Sequence, residues 1–167
     1  PRVIRDIVDR PGAIVMAYLP GMEGGRAVAD VLFGDTNPSG KLPFSYPKYA
    51  GYHLTYDHKP SEEAGGNKFD PQWPFGFGMS YTSFAYGDPN LDMTEMTADD
   101  VLTVHVDVTN TGEVAGKETV QLFLSDIVAS VTPPVKRLVG FTKVSLEPGR
   151  TETVTFKLCR KALEFIG

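Results

Sequence analysis

Hydrophobic and polar residues alternate along the second half of the chain. The alternation covers four stretches, residues 101–110, 118–125, 138–146 and 151–158. A period of two predicts half-buried β-strands, and turn-forming residues such as Asn110-Thr111-Gly112 stand between the stretches. Four short strands of this kind favour a β-sandwich of about seven strands and about 100 residues. Because fewer residues than that follow Ser83, we expect the sandwich to lack about two strands and to end in a short helical turn over 161–165.

The start of the chain has a different pattern. Apolar residues recur at helical spacing over 3–8, a continuous apolar run fills 13–18, and a second helical face follows over 27–32. We therefore predict a helix, a buried parallel strand and a second helix, the last capped by Gly34 in the left-handed conformation. One parallel strand has nothing to pair with, so we expect the remnant of an α/β domain rather than a whole one.

The residues between these two regions are rich in aromatic side chains and prolines. Prolines within 41–47 restrict that alternating segment to a sheet edge. Residues 49–73 predict a long loop of the kind that usually has a function. The sequence therefore divides into three parts, with residues 1–50 as the α/β remnant, 51–83 as an aromatic-rich inter-domain loop and 84–167 as the incomplete sandwich.

Composition and charge exclude several classes of protein. The 167 residues carry a net charge of −5, which argues against nucleic-acid binding. No apolar run is long enough to cross a membrane, and the single cysteine, Cys159, can form no internal disulfide. The chain is too short for a complete (β/α)8 barrel of about 250 residues. Since it opens on Pro1, with neither an initiator methionine nor a signal-peptide pattern, we expect it to be a piece of a longer protein.

Residues suited to catalysis or metal binding do not cluster in the sequence. His53, His58 and His105 are scattered and stand far from Cys159, so no metal site is predicted. Glu23, directly before the second predicted helix, is explained by the attraction between a carboxylate and the helix dipole. No motif of a catalytic nucleophile or a phosphate-binding loop occurs. On these grounds we predict no catalytic centre in the chain.

The surface best suited to binding is the loop over 52–77, where aromatic residues stand near Asp57 and His58. A sugar ring requires a flat aromatic face for its C–H groups and an acceptor for its hydroxyls. We therefore predict Asp57, His58 and Trp73 as substrate-binding residues at the rim of a sugar site. The alternative is structural, with Trp73 and Phe75 packing the two units together.

Several motifs in the chain resemble glycoside hydrolase family 3. The motifs are residues 20–25 (PGMEGG), 29–35 (ADVLFGD) and 37–43 (NPSGKLP), then 73–82 (WPFGFGMSYT), and finally 110–112 (NTG), 116–118 (GKE) and 133–138 (PPVKRL). The first three look like the signature near the end of that family's second domain, and the fourth resembles the stretch that follows it. The last three look like its fibronectin type III-like C-terminal domain. Tyr18 departs from the pattern, because many members have tryptophan there.

The resemblance implies a retaining, exo-acting β-glycosidase, typically a β-glucosidase. Its partners would be an upstream (β/α)8 barrel and α/β sandwich domain, its substrate an oligosaccharide or aryl glycoside, and its location periplasmic or secreted. A retaining mechanism needs two carboxyl groups about 5–5.5 Å apart. In the family the nucleophile comes from the barrel and the acid/base glutamate usually precedes the PGxEGG motif, so neither has a counterpart here. We therefore assign the chain no catalytic residue, metal or cofactor, and expect it to be inactive alone.

Two classes of function remain open. In the first, the chain is the C-terminal portion of a glycosidase and mainly supports the packing of its domains. In the second, it is a stand-alone, non-catalytic carbohydrate-binding or scaffold module. Against the second, a lone α/β step buries too little apolar surface to offset the entropy lost on ordering.

Overall fold

The computed structural model describes residues 2–52, 54–66 and 68–164. His53, considered above for a metal site, and Phe165, at the end of the predicted helical turn, lie outside the described residues. Helix α1 spans Gly24–Phe33. It ends at Gly34, which has a φ of 88° and donates its N–H to the Val31 carbonyl at 3.2 Å. The second predicted helix and its left-handed cap are thus confirmed.

The helix predicted over 3–8 and the strand predicted over 13–18 are wrong. Residues 5–9 form turns, and residues 13–18 run without strand pairing. The side chains of Ile14, Val15 and Met16 are 41%, 51% and 38% exposed. A parallel strand needs a neighbour to share its backbone hydrogen bonds, and within the described ranges no strand lies beside this segment.

Six strands and a short second helix follow within the described part of the chain. They are β1 (Phe84–Tyr86), β2 (Asn90–Leu91), β3 (Val101–Asn110), β4 (Gly116–Leu124), β5 (Arg137–Leu146), β6 (Thr151–Cys159) and α2 (Arg160–Leu163). A 3-10 helix, Pro60–Gly66, lies in the aromatic-rich region. The four alternating stretches are confirmed as β3 to β6, because an alternating sequence suits a strand with one buried face.

The strands form two antiparallel sheets. In the first, β3 pairs with β6 along its length, and its other edge carries β1 and then β2. The second sheet consists of β4 and β5, whose register shifts between Leu122 and Phe123. Val108 and Val154 of the first sheet pack against Val120, Val144 and Leu146 of the second. The all-β sandwich is therefore confirmed, with its core between the two sheets.

Asn110, at the end of β3, is a buried polar residue with a full set of hydrogen bonds. Its side-chain amide donates to the carbonyls of Val114 and Leu146, each at 2.9 Å. Its side-chain oxygen accepts from the Thr82 hydroxyl at 2.6 Å and from the Gly112 N–H at 3.1 Å. Asn110 is 0% exposed, so these bonds replace all contact with water. They join the chain before β1 to the turns at one end of the sandwich.

Candidate functional site

A surface pocket of about 360 Å³ is lined by residues within 43–57, which follow α1 and precede the sandwich along the chain. Its walls are aromatic, aliphatic and small polar side chains: Pro43, Phe44, Ser45, Pro47, Tyr52, Leu54, Thr55, Tyr56 and Asp57. Of the three predicted sugar-binding residues, Asp57 alone lines this pocket. Asp57 is exposed, and its Oδ1 accepts a hydrogen bond from the Thr55 hydroxyl at 2.6 Å.

His58 is not among the residues that line the pocket and is only 5% exposed. Its Nδ1 is 2.7 Å from the Thr55 carbonyl oxygen and its Nε2 is 2.6 Å from Oε1 of Glu63. Both ring nitrogens therefore have a hydrogen-bond partner within the protein. The ring also stacks on Phe69, with centroids 4.7 Å apart. His58 is therefore placed to position this loop rather than to touch a ligand.

The backbone of the same loop is attached to the sandwich. The His58 carbonyl accepts from the Val135 N–H at 2.9 Å. Phe75 stacks on Tyr56 at 4.2 Å, and both rings approach Phe123 of β4. The structural interpretation of Phe75 fits these contacts, because its ring joins the aromatic-rich region to the second sheet.

Trp73 belongs to a separate aromatic row. Its ring lies 5.3 Å from that of Tyr46, which stacks in turn on Phe44 at 6.0 Å. The Trp73 carbonyl accepts from the Tyr46 N–H at 2.8 Å, which pairs the two segments as an isolated bridge. Tyr46 is 3% exposed, so Trp73 covers the most buried aromatic ring of this region.

We expect Trp73→Ala to destabilise the protein by about 2–3 kcal/mol, because it removes a large, half-buried ring from this row. If the longer protein hydrolyses an aryl β-glucoside, as the family resemblance implies, its Michaelis constant should change little in this variant. Thermal unfolding and steady-state kinetics check both statements, with Trp73→Phe as the variant that keeps an aromatic ring. An unchanged melting temperature together with a raised Michaelis constant would contradict this prediction.

The pocket wall is supported by an ion pair. The Lys48 Nζ lies 3.0 Å from both carboxylate oxygens of Asp70, and the Tyr49 hydroxyl donates to one of them at 3.0 Å. These hydrogen bonds, from Lys48 first and then Tyr49, lower the pKa of the Asp70 carboxyl. The Asp70 N–H donates to the Tyr52 hydroxyl at 2.9 Å, so the pair holds the segment that fixes one ring of the pocket.

A second group of residues, unforeseen from the sequence, fixes the region before β1 to the sandwich. Lys41 lies 3.1 Å from the carboxylate of Glu118 on β4, and the two side chains are 16% and 10% exposed. Lys41 also donates to the Gly78 carbonyl at 3.0 Å, and Tyr86 donates its hydroxyl to Glu118 at 2.9 Å. Because losing either partner would leave an unpaired charge in a largely buried place, the ion pair holds Lys41 against β4.

Burial, and then the hydrogen bond to the Glu118 carboxylate, raise the pKa of Tyr86. A tyrosine whose pKa is higher in the folded state contributes stability that is complete below pH 10 and is lost as the pH rises further. We therefore expect Tyr86→Phe to cost about 1 kcal/mol at pH 7 through the lost hydrogen bond. Above pH 10 the stability of the Tyr86→Phe variant should fall less steeply than that of the unmodified protein. Melting temperatures between pH 7 and pH 11 test this, and parallel curves for the two proteins would contradict it.

Asn37 makes the third connection. Its amide donates to the Ala115 carbonyl at 2.9 Å, and its side-chain oxygen accepts from the Ser80 hydroxyl and the Tyr81 N–H. Close by, a Cβ at Gly116 would lie 3.0 Å from Asn37 Nδ2. The NPSG motif thus places a side chain where three distant segments meet, and no local pattern in the sequence announces that role.

The PGMEGG motif has a structural explanation as well. Gly21 has a φ of 72°, and a Cβ at Gly24 would lie 2.6 Å from Pro20 Cγ. Glu23 occupies the N-cap position of α1 without a side-chain capping hydrogen bond.

In the parts of the chain that the structure covers, no three His, Cys, Asp or Glu side chains gather as metal ligands. None of the described helices has the length and apolarity to cross a membrane.

Known proteins share this arrangement. Residues 1–81 match the glycosyl hydrolase family 3 C-terminal domain, and residues 118–167 match the fibronectin type III-like domain. The chain is 45% identical over 165 residues to a β-xylosidase of Formosa agariphila, covering 95% of this chain and 23% of that protein. It is 42% identical over 167 residues to a periplasmic β-glucosidase of Salmonella typhimurium, covering 92% of this chain and 22% of that protein.

Solved structures agree with these sequence relatives. A β-glucosidase from Erythrobacter marinus superposes with a TM-score of 0.82 at 42% identity, covering 87% of this chain and 20% of that one. A Listeria innocua β-glucosidase in complex with glucose gives a TM-score of 0.77 at 38% identity, covering 87% and 22%. The chain therefore spans under a quarter of the length of these relatives.

The relatives that share this α1-bearing segment and antiparallel sandwich are named as β-glucosidases and a β-xylosidase. The chain belongs to glycosyl hydrolase family 3, with that family's C-terminal domain at its start and a fibronectin type III-like domain after it. The family predicted from the motifs is thereby confirmed.

Proposed function

We propose that this chain is the C-terminal portion of a retaining, exo-acting β-glycosidase that removes terminal non-reducing β-linked sugars. The activity we propose first is that of a β-glucosidase. The observation that carries the proposal is the 42% identity to a periplasmic β-glucosidase over 92% of this chain. The name of that relative also supports a periplasmic or secreted location. The 45% identity to a β-xylosidase makes xylosides the second substrate to be tested.

In this proposal the chain holds domains together and the catalytic aspartate and glutamate lie in sequence outside it. Support comes from the three connections described above, through Asn37, the Lys41–Glu118 pair and Phe75. Further support comes from apolar side chains before residue 34 that stand open to solvent: Val3, Ile7, Ile14, Val15, Met16, Leu19, Met22, Leu32 and Phe33. A surface this apolar is typical of a contact with other protein, which suits an upstream barrel and α/β domain.

We retain the division into residues 1–50, 51–83 and 84–167 as part of the proposal, and we also retain the sugar-site assignment. Asp57 is the residue that meets the sugar, because its carboxylate lines the pocket and is exposed. His58 and Trp73 stay assigned to the rim of the site but lie outside the pocket lining, His58 being joined to Thr55 and Trp73 packing on Tyr46. The stand-alone module is the second candidate, favoured by the pocket alone.

Hydrolysis of p-nitrophenyl β-glucoside and β-xyloside by the full-length protein tests the proposal, with the 167-residue chain assayed beside it. We expect the full-length protein to release p-nitrophenol with retention of configuration at the anomeric carbon, detected by NMR of the first-formed sugar. The 167-residue chain should show none of this activity. Inversion of configuration, inactivity of the full-length protein, or turnover by the 167-residue chain alone would each contradict the proposal.

A further inference from the structure

We propose that the pocket walled by Phe44, Tyr52 and Tyr56 binds one pyranose ring of a neutral β-linked oligosaccharide, with the Asp57 carboxylate accepting a hydrogen bond from a sugar hydroxyl. The class of ligand rests on the proposed function, whereas the site itself rests on the geometry of the pocket. Its volume of about 360 Å³ falls within the range of about 300–1,000 Å³ that small-molecule sites occupy.

The aromatic walls are held in place from outside the pocket. The Tyr52 hydroxyl accepts from the Asp70 N–H at 2.9 Å, and the Tyr56 hydroxyl lies 3.4 Å from the Leu138 N–H that donates to it. Phe44 stacks on Tyr46. None of these three supporting residues lines the pocket. Rings fixed in this way lose little conformational freedom when a ligand arrives, which favours binding.

The polar groups of the pocket suit the hydroxyls of a sugar. One oxygen of Asp57 is used by Thr55, while within the described residues the other oxygen accepts no hydrogen bond. Ser45 accepts from the Phe75 N–H at 3.3 Å, so its own hydroxyl proton is directed to no acceptor in the part of the chain described. One free acceptor and one free donor beside three aromatic rings match the alternating hydroxyl and C–H surfaces of a pyranose.

The charge of the lining selects against other ligands. Asp57 is the one charged residue among the nine that form it. Since the described lining contains no lysine or arginine, the Asp57 carboxylate disfavours phosphates and uronic acids, because like charges in a partly dehydrated pocket cost free energy. The ligand class is therefore a neutral sugar, and the glucose and xylose series share the ring that the pocket recognises.

Hydrogen–deuterium exchange of the full-length protein can detect this binding locally. The probes are thiocellobiose and thioxylobiose, whose sulfur linkages resist hydrolysis. We expect either probe to slow exchange in peptides that cover residues 43–57. Asp57→Ala should raise the apparent dissociation constant for this protection about tenfold, because a hydrogen bond to a charged acceptor is lost. Leu54→Trp, which fills the pocket, should abolish the protection.

Asp99→Ala is the matched control, because Asp99 is an exposed aspartate outside the pocket, and it should bind as the unmodified protein does. Unchanged exchange in β3 to β6 of each variant verifies that the sandwich is folded. Absence of protection at saturating probe, or equal protection in Leu54→Trp, would overturn the proposal. If the full-length protein hydrolyses aryl glycosides but neither probe slows exchange over residues 43–57, the pocket proposal is wrong while the proposed enzymatic function stands. Protection without hydrolysis would support the pocket and overturn the proposed enzymatic function.

Discussion

Asn110→Ala is expected to lower the free energy of unfolding by about 3–5 kcal/mol, because it removes several hydrogen bonds of one buried side chain. The side chain is fully buried and makes four hydrogen bonds, to Val114, Leu146, Thr82 and Gly112. Alanine would leave the Leu146 carbonyl without this partner in the interior, and the Val114 carbonyl and Gly112 N–H without theirs at partly buried positions. Each unsatisfied buried group costs about 1–3 kcal/mol, and some of that cost is recovered where water enters the space.

Urea denaturation of the full-length protein, followed by the circular dichroism of its strands, measures this loss. Asn90→Ala is the matched control, because Asn90 is an exposed asparagine on β2, and it should shift the midpoint only slightly. A loss below about 1 kcal/mol in Asn110→Ala would contradict the bonding described.

Gly78→Ala is expected to destabilise the protein by about 2–4 kcal/mol, because the added methyl group would overlap backbone atoms that cannot turn aside. A Cβ at Gly78 would collide with the carbonyl oxygen of Gly40. The two segments are paired close by, since the Leu42 N–H donates to the Phe77 carbonyl and the Gly76 N–H donates to the Leu42 carbonyl, each at 2.8 Å. Relieving the collision would stretch these bonds and draw Lys41 away from Glu118.

Two alanine substitutions serve as controls for this result. Gly40→Ala lies on the other side of the same contact, yet its Cβ would meet nothing within 4 Å. At Gly87 a Cβ would lie 3.5 Å from Asp107 Cβ, an ordinary van der Waals distance. Both variants should unfold near the temperature of the unmodified protein. A Gly78→Ala melting temperature equal to theirs would show that the backbone there has room that the structure does not indicate.

The strands of the sandwich could be predicted from sequence because each one carries its own signal. Residues 101–110 alternate throughout, and Val104 and Val108 are indeed buried. Gly34 was equally readable, since a glycine after a helical apolar face is a local cap signal. The strand predicted from the apolar run at 13–18 was wrong because that run does not carry the whole signal for its own structure. Its hydrophobicity predicts burial, but whether it pairs as a strand depends on a neighbour that its own sequence does not contain.

The candidate site could be predicted only in outline. Aromatic residues and Asp57 in one loop indicate a sugar-binding surface, and the pocket includes Asp57 together with Tyr52 and Tyr56. The sequence could not separate Asp57 from its neighbour His58, whose ring is turned to Glu63 and away from solvent. Nor could it indicate Asn37, whose partner Ala115 is 78 residues away. Such contacts depend on the tertiary fold and not on the spacing of nearby residues.

The contact between Lys143 and Ser39 sets an order of events at the ribosome. The Lys143 ammonium group donates to the Ser39 carbonyl and hydroxyl across 104 residues of chain. At a synthesis rate of about 5–20 residues per second, Ser39 emerges about 5–20 s before its partner. During that interval the segment around it has no sandwich to dock on. The contacts of Ser39, Asn37 and Lys41 with the sandwich can therefore form only after β4 and β5 have been synthesised.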